Sequence, residues 1–189
     1  RELFAKAREL YGTRQWKLPP DEALDKLMEF FAARLRNYFL SRGQDTLLVD
    51  AALNAGAAQV PDSGARLAAL AAFSEAVQTF KRVANIVRKQ AAAETLPEHW
   101  DAALLREAPE KALAETLETL LPRLDAFRAS GDHGAALATL REVRPAVDAF
   151  FDGVMVMCED AALRRNRLAM LQALGSRFAR LADFAALQL

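Results

Sequence analysis

The sequence of 189 residues is long enough for one domain with a sizeable core. Apolar residues make up 52% and charged residues 26%, which excludes a disordered chain, and the apolar runs stay short of the roughly 20 residues of a membrane span. The formal net charge is zero and Cys158 is the single cysteine, which excludes an internal disulfide and a thiolate zinc cage and favours a cytoplasmic location.

Helix-forming residues dominate the composition. Alanine and leucine are plentiful, and no stretch alternates apolar and polar residues over the length of a strand. The sequence therefore predicts an all-α fold, a helical bundle of about seven to nine helices. We expect residues 1–19 to form an N-terminal helix and a connection, and residues 20–189 to form the helical domain. The start at Arg1, with neither an initiator methionine nor a signal peptide, favours a piece of a longer protein.

The first long predicted helix begins at Pro19–Asp21, with proline and acid in its first turn, and ends near Ser41 before Gly43. Its predicted core stripe consists of Leu24, Leu27, Met28, Phe31, Leu35 and Phe39. A neighbouring stripe interleaves aromatic and basic residues, chiefly Phe30, Arg34, Tyr38 and Arg42. Such a surface can stack unpaired bases while its cations hold phosphates. The alternative is a partly buried aromatic edge whose arginines extend to water.

Asp45 is the expected N-cap of the next helix, residues 46–55, and Pro61 opens another that either stops or continues into a basic segment. In that segment Phe80, Val83 and Val87 are predicted to face inward. The outward side is then formed by Lys81, Asn85, Arg88 and Lys89, with Arg82 beside them. Cations can follow a phosphate track while the asparagine reads a base. The alternative for Asn85 is to cap or bridge a neighbouring loop.

Charge is segregated along the chain despite its net neutrality. Residues 81–89 and 161–182 contain cations and no acid, whereas acids concentrate around residues 94–118. This distribution is compatible with a basic face and an acidic back. Ordinary solvated helix faces are the alternative. His99 and His133 are the two histidines, and neither has metal-ligand spacing.

The second half of the chain predicts three further helices. The first spans residues 110–129, where Pro122 is expected to kink or divide it. A shorter one spans residues 135–143 and is expected to end at Arg144-Pro145. The last runs from about Asp160, whose predicted role is capping, to Leu187.

A buried arginine is predicted in that last helix. Arg167 falls in the middle of the apolar face that contains Leu163, Met170, Leu171 and Leu174. A guanidinium there needs an anionic or carbonyl partner, because a buried unpaired charge is very costly. Asp148 and Asp152, one turn apart in the preceding apolar run, are the expected partners. We therefore assign these three residues to a structural polar network.

Three motifs carry a family resemblance. The run VDAFFDGVMVM at 147–157, then EDAALRRNRLAML at 159–171, then RFARLADFAALQ at 177–188 closely resembles the C-terminus of the β subunit of bacterial tetrameric glycyl-tRNA synthetases. The segment KRVANIV at 81–87 resembles an internal element of the same subunit, with Phe80 standing where the family would have an asparagine. The resemblance implies an anticodon-binding domain of the all-helical kind also found in arginyl-tRNA synthetases.

The resemblance also implies a role in glycine–tRNA ligation. The expected partners are the anticodon stem-loop of glycine tRNA, the remainder of the β subunit and the α subunit, and no membrane. We predict that the RNA face consists of Arg34, Tyr38, Arg42, Lys81, Arg82, Asn85 and Lys89, with Arg164 and Arg165 as secondary phosphate contacts.

Catalytic chemistry is not expected in this chain. The sequence contains no glycine-rich phosphate loop and no cluster of convergent acids with a base. We therefore expect no cofactor here and a non-catalytic domain, with ATP and magnesium held by the α subunit. The alternative function is a helical docking module without RNA contact, in which the acidic surface and the loops around Trp16 and Trp100 do the binding.

Overall fold

The computed structural model describes residues 2–12, 15, 17–55, 60–73, 76–91 and 95–187. Within them the chain forms eight α-helices and no strand. The helices are α1 (Glu2–Leu10), α2 (Pro20–Leu40), α3 (Thr46–Asn54), α4 (Val60–Ala71), α5 (Val77–Ala91), α6 (Ala108–Ser130), α7 (His133–Gly153) and α8 (Ala161–Phe178), with a short 3-10 helix at Ala102–Leu104. The predicted all-α bundle is confirmed. None of these helices is both long enough and apolar enough to cross a bilayer, within the part of the chain that the structure describes.

Local chain signals place several helix ends as predicted. The Asp45 carboxylate accepts hydrogen bonds from the backbone N–H groups of Leu47 and Leu48 and so caps α3. Asp160 caps α8 in the same way through the N–H of Leu163, at 3.1 Å. Gly43, after α2, has a φ of +78°, a conformation that glycine adopts without strain.

The predicted core stripe of α2 is confirmed near the C-terminal end of the helix and wrong at Phe31, while Leu24, Leu27 and Met28 are half-buried. Leu35 is buried and Phe39 packs against the core, but Phe31 is 44% exposed. The cause is that α2 packs against α3 through its C-terminal half, where Arg36 and Asp50 form an ion pair at 2.5 Å. Periodicity identifies the apolar side of a helix but not the element that covers it.

The centre of the core is an aromatic cluster to which four parts of the chain contribute. Phe73 follows α4, Phe80 lies in α5, Phe178 ends α8, and Phe184 comes from the C-terminal turns. Neighbouring ring centroids in the cluster lie 5.2 to 5.9 Å apart. α4 and α5 are separate helices, because the turn at Phe73 places its ring in this cluster. α8 ends at Phe178 rather than near Leu187, since the turns that follow fold Phe184 back into the core.

Both internal prolines are accommodated within continuous helices. Pro122 lies inside α6 and Pro145 inside α7, and both are exposed. Of the two outcomes expected at Pro122, a kink or a division, the division is therefore wrong, and the predicted end at Pro145 is wrong as well. A proline in a helix costs about 3 kcal/mol, whereas each fully buried leucine contributes roughly 1.5–3 kcal/mol. Buried leucines lie on both sides of Pro122, namely Leu117, Leu120, Leu121 and Leu124. Packing between α6 and α7 therefore outweighs the proline penalty.

A polar contact also joins α4 to α7. The buried His133 ring, at the start of α7, makes a 2.5 Å hydrogen bond through Nε2 to Asp62, and Asp62 also pairs with Arg66 at 2.6 Å. His133 is therefore part of the protein's internal packing. Trp16 lies outside the described residues.

Candidate nucleic-acid interface

Helix α5 carries its basic residues on the side away from the core, as predicted. Phe80 and Val83 are fully buried and Val87 packs against the core. The opposite side of the helix presents Lys81, Arg82, Asn85, Arg88 and Lys89, which we call the α5 basic face. All are exposed except Lys81, which is half-buried.

The charge of the α5 basic face is not compensated within the described part of the chain. None of its four cations forms an ion pair there: Arg88 donates to the amide oxygen of Asn85 at 3.1 Å, and Arg82 lies over an aromatic ring. Cations elsewhere do pair with acids, as Arg123 does with Glu142 at 2.8 Å. The neutral chain thus has a local positive surface on α5, suited to phosphate.

A groove adjoins the α5 basic face where α7 ends. Its volume is about 590 Å³, and we call it the α5–α7 groove. It is lined by Arg82 and Ile86 of α5, Phe151, Asp152 and Gly153 at the end of α7, and the following segment from Val154 to Met157. The guanidinium of Arg82 lies 4.0 Å from the centroid of the Phe151 ring. One wall of the groove is therefore a stacked cation and aromatic ring.

Two arginines of α8 fix the segment after α7 through hydrogen bonds to its carbonyl groups. Arg167 donates from Nη1 to the carbonyl of Met155 at 3.0 Å, and Arg164 donates to the carbonyl of Cys158 at 2.7 Å. Val154 and Val156 are buried, whereas Met155 and Met157 are 73% and 50% exposed. The groove wall is consequently a non-helical segment that presents its methionines to solvent and its valines to the core.

Arg167 is buried as predicted, but its predicted partners are wrong. Its Nε donates to Glu110 of α6 at 2.6 Å, not to Asp148 or Asp152. Asp148 instead accepts from Thr79 at 2.7 Å, and Asp152 is exposed in the groove. The error has a geometric cause, because the end of α7 turns these carboxylates away from α8.

Glu110 is completely buried and fully engaged. Besides Arg167, its carboxylate accepts from the backbone N–H groups of Arg106 and Glu107, which completes a capping box at the start of α6. Burial raises the pKa of the Glu110 carboxyl, but these hydrogen bonds outweigh burial and hold the pKa below its ordinary value. Conversely, the hydrogen bond to Glu110 raises the pKa of Arg167.

The two secondary candidates on α8 are held by backbone carbonyls. Arg164 binds Cys158 as described, and Arg165 donates to the carbonyl of Thr95 at 3.1 Å. Arg164 thereby lies beside the segment that flanks the groove, and Arg165 lies beside the segment that follows α5. A carbonyl does not neutralise a guanidinium, so the contact with Cys158 leaves the charge of Arg164 in place.

The predicted surface on α2 is present but stands apart from α5. Arg34 lies 4.8 Å from the ring centroid of Phe30, and Arg42 lies 4.4 Å from that of Tyr38. Phe30 is 50% exposed and Tyr38 is also exposed, so this edge is open rather than partly buried. α2 packs against α3, whereas α5 packs against α7 and α8. The described residues contain no group of three or more acidic, histidine or cysteine side chains placed to hold a metal ion.

Comparison with known families identifies this architecture. Residues 76–183 match the family model of the DALR anticodon binding domain, which is more than half of the 189 residues. The chain belongs to the DALR anticodon-binding family. The matched range contains the α5 basic face, the α5–α7 groove, and α6 to α8. α2 and its aromatic and basic surface lie outside the range.

Individual relatives agree with the DALR family and with the resemblance seen in the sequence. The chain is 56% identical over 197 positions to the β subunit of glycine–tRNA ligase from Nitratidesulfovibrio vulgaris strain Hildenborough, and 55% identical to that of Oleidesulfovibrio alaskensis. It is 38% identical over 193 positions to that of Shewanella sediminis. These matches cover 99–100% of the chain but only 27–28% of the relatives, so the chain spans little more than a quarter of their length.

The sequence interpretation missed two parts of this DALR interface. The α5–α7 groove was not predicted because the run 154–157 is continuously apolar, so the sequence does not distinguish its exposed methionines from its buried valines. Glu110 escaped because it was counted with the acidic surface. It lies three and seven residues before Leu113 and Leu117, which places it on their buried face.

Proposed function

We propose that this chain binds the anticodon stem-loop of glycine tRNA, with the α5 basic face as the principal contact. The observation that carries the proposal is the row of α5 cations that have no acidic partner among the described residues, inside the range that matches an anticodon-binding family. Phosphate oxygens supply the missing anions. Asn85, within the same row, has both a donor and an acceptor to offer a base.

Glycine codons begin with two guanines, so the second and third letters of the glycine anticodon are both cytosine. An unpaired cytosine presents an N4 amino donor with N3 and O2 acceptors. Its recognition needs a carboxylate or carbonyl beside a guanidinium or amide, with an aromatic or planar group beneath the base. The α5 basic face and the adjoining groove offer these groups.

The remaining predicted contacts extend this surface. Arg164 and Arg165 lie beside the groove and the end of α5, and we assign them to flanking phosphates. Arg34, Tyr38 and Arg42 on α2 offer an open ring and two guanidinium groups. They suit a more distant part of the tRNA, since α2 does not pack against α5.

A second role is favoured by the apolar exposure of α1 and α2. Leu10 is 82% exposed, and Phe30 and Phe31 are about half exposed. Soluble domains seldom leave such side chains uncovered without a partner. We propose that α1 and the first half of α2 dock onto the remainder of the β subunit or onto the α subunit, consistent with relatives that are more than three times longer than this chain.

We further propose that the chain binds rather than catalyses, in the cytoplasm. ATP, magnesium and the aminoacylation reaction are assigned to the α subunit, as the family resemblance implies. The groove has one carboxylate and one guanidinium, which suits recognition of a base.

The test measures binding of the chain to a glycine anticodon stem-loop and to versions with either cytosine changed to uridine, at two salt concentrations. We expect each change to weaken binding by about 1–3 kcal/mol, and affinity to fall steeply with salt. Salt-dependent binding that ignores both cytosines would show a general phosphate surface. A folded chain that binds no stem-loop would leave only the docking role.

A further inference from the structure

We propose that the α5–α7 groove is a pocket for one unpaired cytosine of the anticodon loop, in which Asp152 and Arg82 read the base-pairing edge. The assignment rests on the proposed function and deepens it. Asp152, which the sequence predicts to belong to a structural polar network, thereby has a role in specificity.

Two opposite charges face the same groove without neutralising each other. Asp152 is exposed, and among the described residues it takes part in no hydrogen bond or ion pair. Arg82 is exposed as well, and its described contact is the ring of Phe151. Other acids on this protein's surface do pair with an arginine, as Asp50 and Glu142 do. A carboxylate and a guanidinium left open in one groove suit a ligand that has donors and acceptors side by side.

Cytosine has this arrangement on its base-pairing edge. Its N4 amino group donates, which suits the Asp152 carboxylate, and its N3 and O2 accept, which suits the forked guanidinium of Arg82. Uracil places an acceptor, O4, where cytosine has the amino group. The Asp152 carboxylate would then meet a second acceptor, and neither oxygen can donate. The pair of residues therefore discriminates cytosine from uracil.

The walls of the groove suit a flat base. Phe151 is buried beneath the exposed Arg82, and its ring covers one face of the guanidinium. The N–H groups at the edge of the guanidinium are left open to a base that lies beside it. Ile86 and the exposed Met155 and Met157 supply further apolar contact. The volume of about 590 Å³ lies within the roughly 300–1,000 Å³ of clefts that hold small ligands.

The pocket is also preorganised. The carbonyl of Met155 is held by Arg167, which is itself fixed by the buried Glu110, and the carbonyl of Cys158 is held by Arg164. At the end of α7, Gly153 lies against the ring of Pro109, so close that a Cβ at this position would come 2.8 Å from the proline Cγ. These contacts fix the backbone around Asp152 before any RNA arrives, which reduces the ordering cost of binding.

The test is the Asp152→Asn variant, measured against the glycine stem-loop and the two single cytosine-to-uridine stem-loops. We expect its affinity for the glycine stem-loop to fall by about 5- to 150-fold, the range of one lost specific contact. The change to uridine at one of the two positions should then cost nothing further, whereas the other position stays discriminating. Charge alone predicts the opposite sign, because removal of an anion beside phosphates tightens binding to every stem-loop.

Two further variants sharpen the test. Glu118→Gln removes one negative charge from an exposed position on α6 and should change neither affinity nor discrimination. Arg82→Lys keeps the charge but loses the planar fork, so it should lose discrimination at the same position as Asp152→Asn with little change in salt dependence. Circular dichroism and thermal melting verify that each variant is folded.

The outcomes separate this assignment from the proposed function. A wild-type chain that prefers both cytosines, beside an Asp152→Asn variant that keeps both preferences, overturns the cytosine pocket and leaves anticodon binding standing. A wild-type chain that ignores both cytosines, or binds no stem-loop, overturns the proposed function and this assignment with it.

Discussion

Glu110 on α6 and Arg167 on α8 form a buried ion pair at 2.6 Å, with side chains that are 0% and 4% exposed. Both partners have second tasks: Glu110 accepts two backbone N–H groups at the start of α6, and Arg167 holds the carbonyl of Met155 in the groove wall. The pair therefore joins two helices and the segment between α7 and α8. It links the stability of the bundle to the geometry of the groove.

Glu110→Gln should destabilise the protein by about 3–5 kcal/mol, because it leaves the Arg167 guanidinium buried without a counter-charge. Glutamine keeps the shape and a carbonyl acceptor for the backbone N–H groups, so the loss reports mainly the charge. Urea unfolding followed by circular dichroism measures it. The matched control is Arg123→Gln, which breaks an exposed pair with Glu142 and should cost only about 0.2–1 kcal/mol. Equal losses in the two variants would contradict a special role for the buried pair.

The same pair should make the protein sensitive to acid. Since the folded state lowers the pKa of Glu110, the ionised carboxylate contributes stability above its unfolded pKa of about 4.3, and that stability is lost as the pH falls through the folded value. The gap in unfolding free energy between wild type and Glu110→Gln should therefore be widest near pH 7 and close as the pH drops below about 4. Urea titrations at several pH values measure the gap. A gap that stays constant into acid would rule out this linkage.

The sequence predicted one half of this pair and missed the other for an identifiable reason. Arg167 was recognised because its apolar neighbours recur with helical spacing around it. Glu110 has the same relation to Leu113 and Leu117, but its position among the acids around residues 94–118 favours an acidic surface. In the structure Glu110 both caps α6 and is buried. Which acid meets a buried arginine depends on helix packing, which spacing along one helix does not contain.

Much of the fold was predictable from local signals, and the errors of the prediction came from long-range packing. The caps at Asp45 and Asp160, the inward side of α5 and the all-α class were predictable from neighbouring residues. The continuity of α6 through Pro122 was not, because it depends on leucines that face another helix. The groove likewise arises where α5, the end of α7 and the following segment meet, and no single stretch of sequence encodes it.

Gly153→Ala should destabilise the protein, because the new Cβ would lie 2.8 Å from the Cγ of Pro109, and a proline ring at a helix start cannot swing aside. We expect a loss of about 1–3 kcal/mol, typical of overpacking. Gly134→Ala is the matched control, since its Cβ would meet Asp132 at an ordinary 3.6 Å. In a helix that substitution should stabilise by about 0.5–1 kcal/mol, so thermal melting should show shifts of opposite sign. Two shifts of the same sign would refute the close packing of Gly153 on Pro109.

Phe80→Asn would restore the asparagine that the family resemblance implies at this position. Phe80 is fully buried, with ring centroids 5.5 Å from Phe178 and 5.8 Å from Phe73, so its side chain points away from the α5 basic face. We expect a loss of about 3–5 kcal/mol from the cavity, and more from the unpaired amide. Stem-loop affinity should stay unchanged at a temperature where the variant is folded. Tighter binding by the variant would mean that this position reaches the RNA.

The salt dependence of binding can separate the two basic surfaces. Lys89→Gln should lower the slope of log affinity against log salt by about 0.7–0.9, because each phosphate contact releases condensed counterions. Arg123→Gln removes the same charge from α6, where Glu142 already neutralises it, and should leave the slope unchanged.

Arg34→Gln tests α2 in the same assay. A drop equal to that of Lys89→Gln would place the Arg34, Tyr38 and Arg42 surface on the tRNA. An unchanged slope would assign α2, with its exposed Phe30 and Phe31, to docking against the rest of the synthetase, since apolar contact releases no counterions.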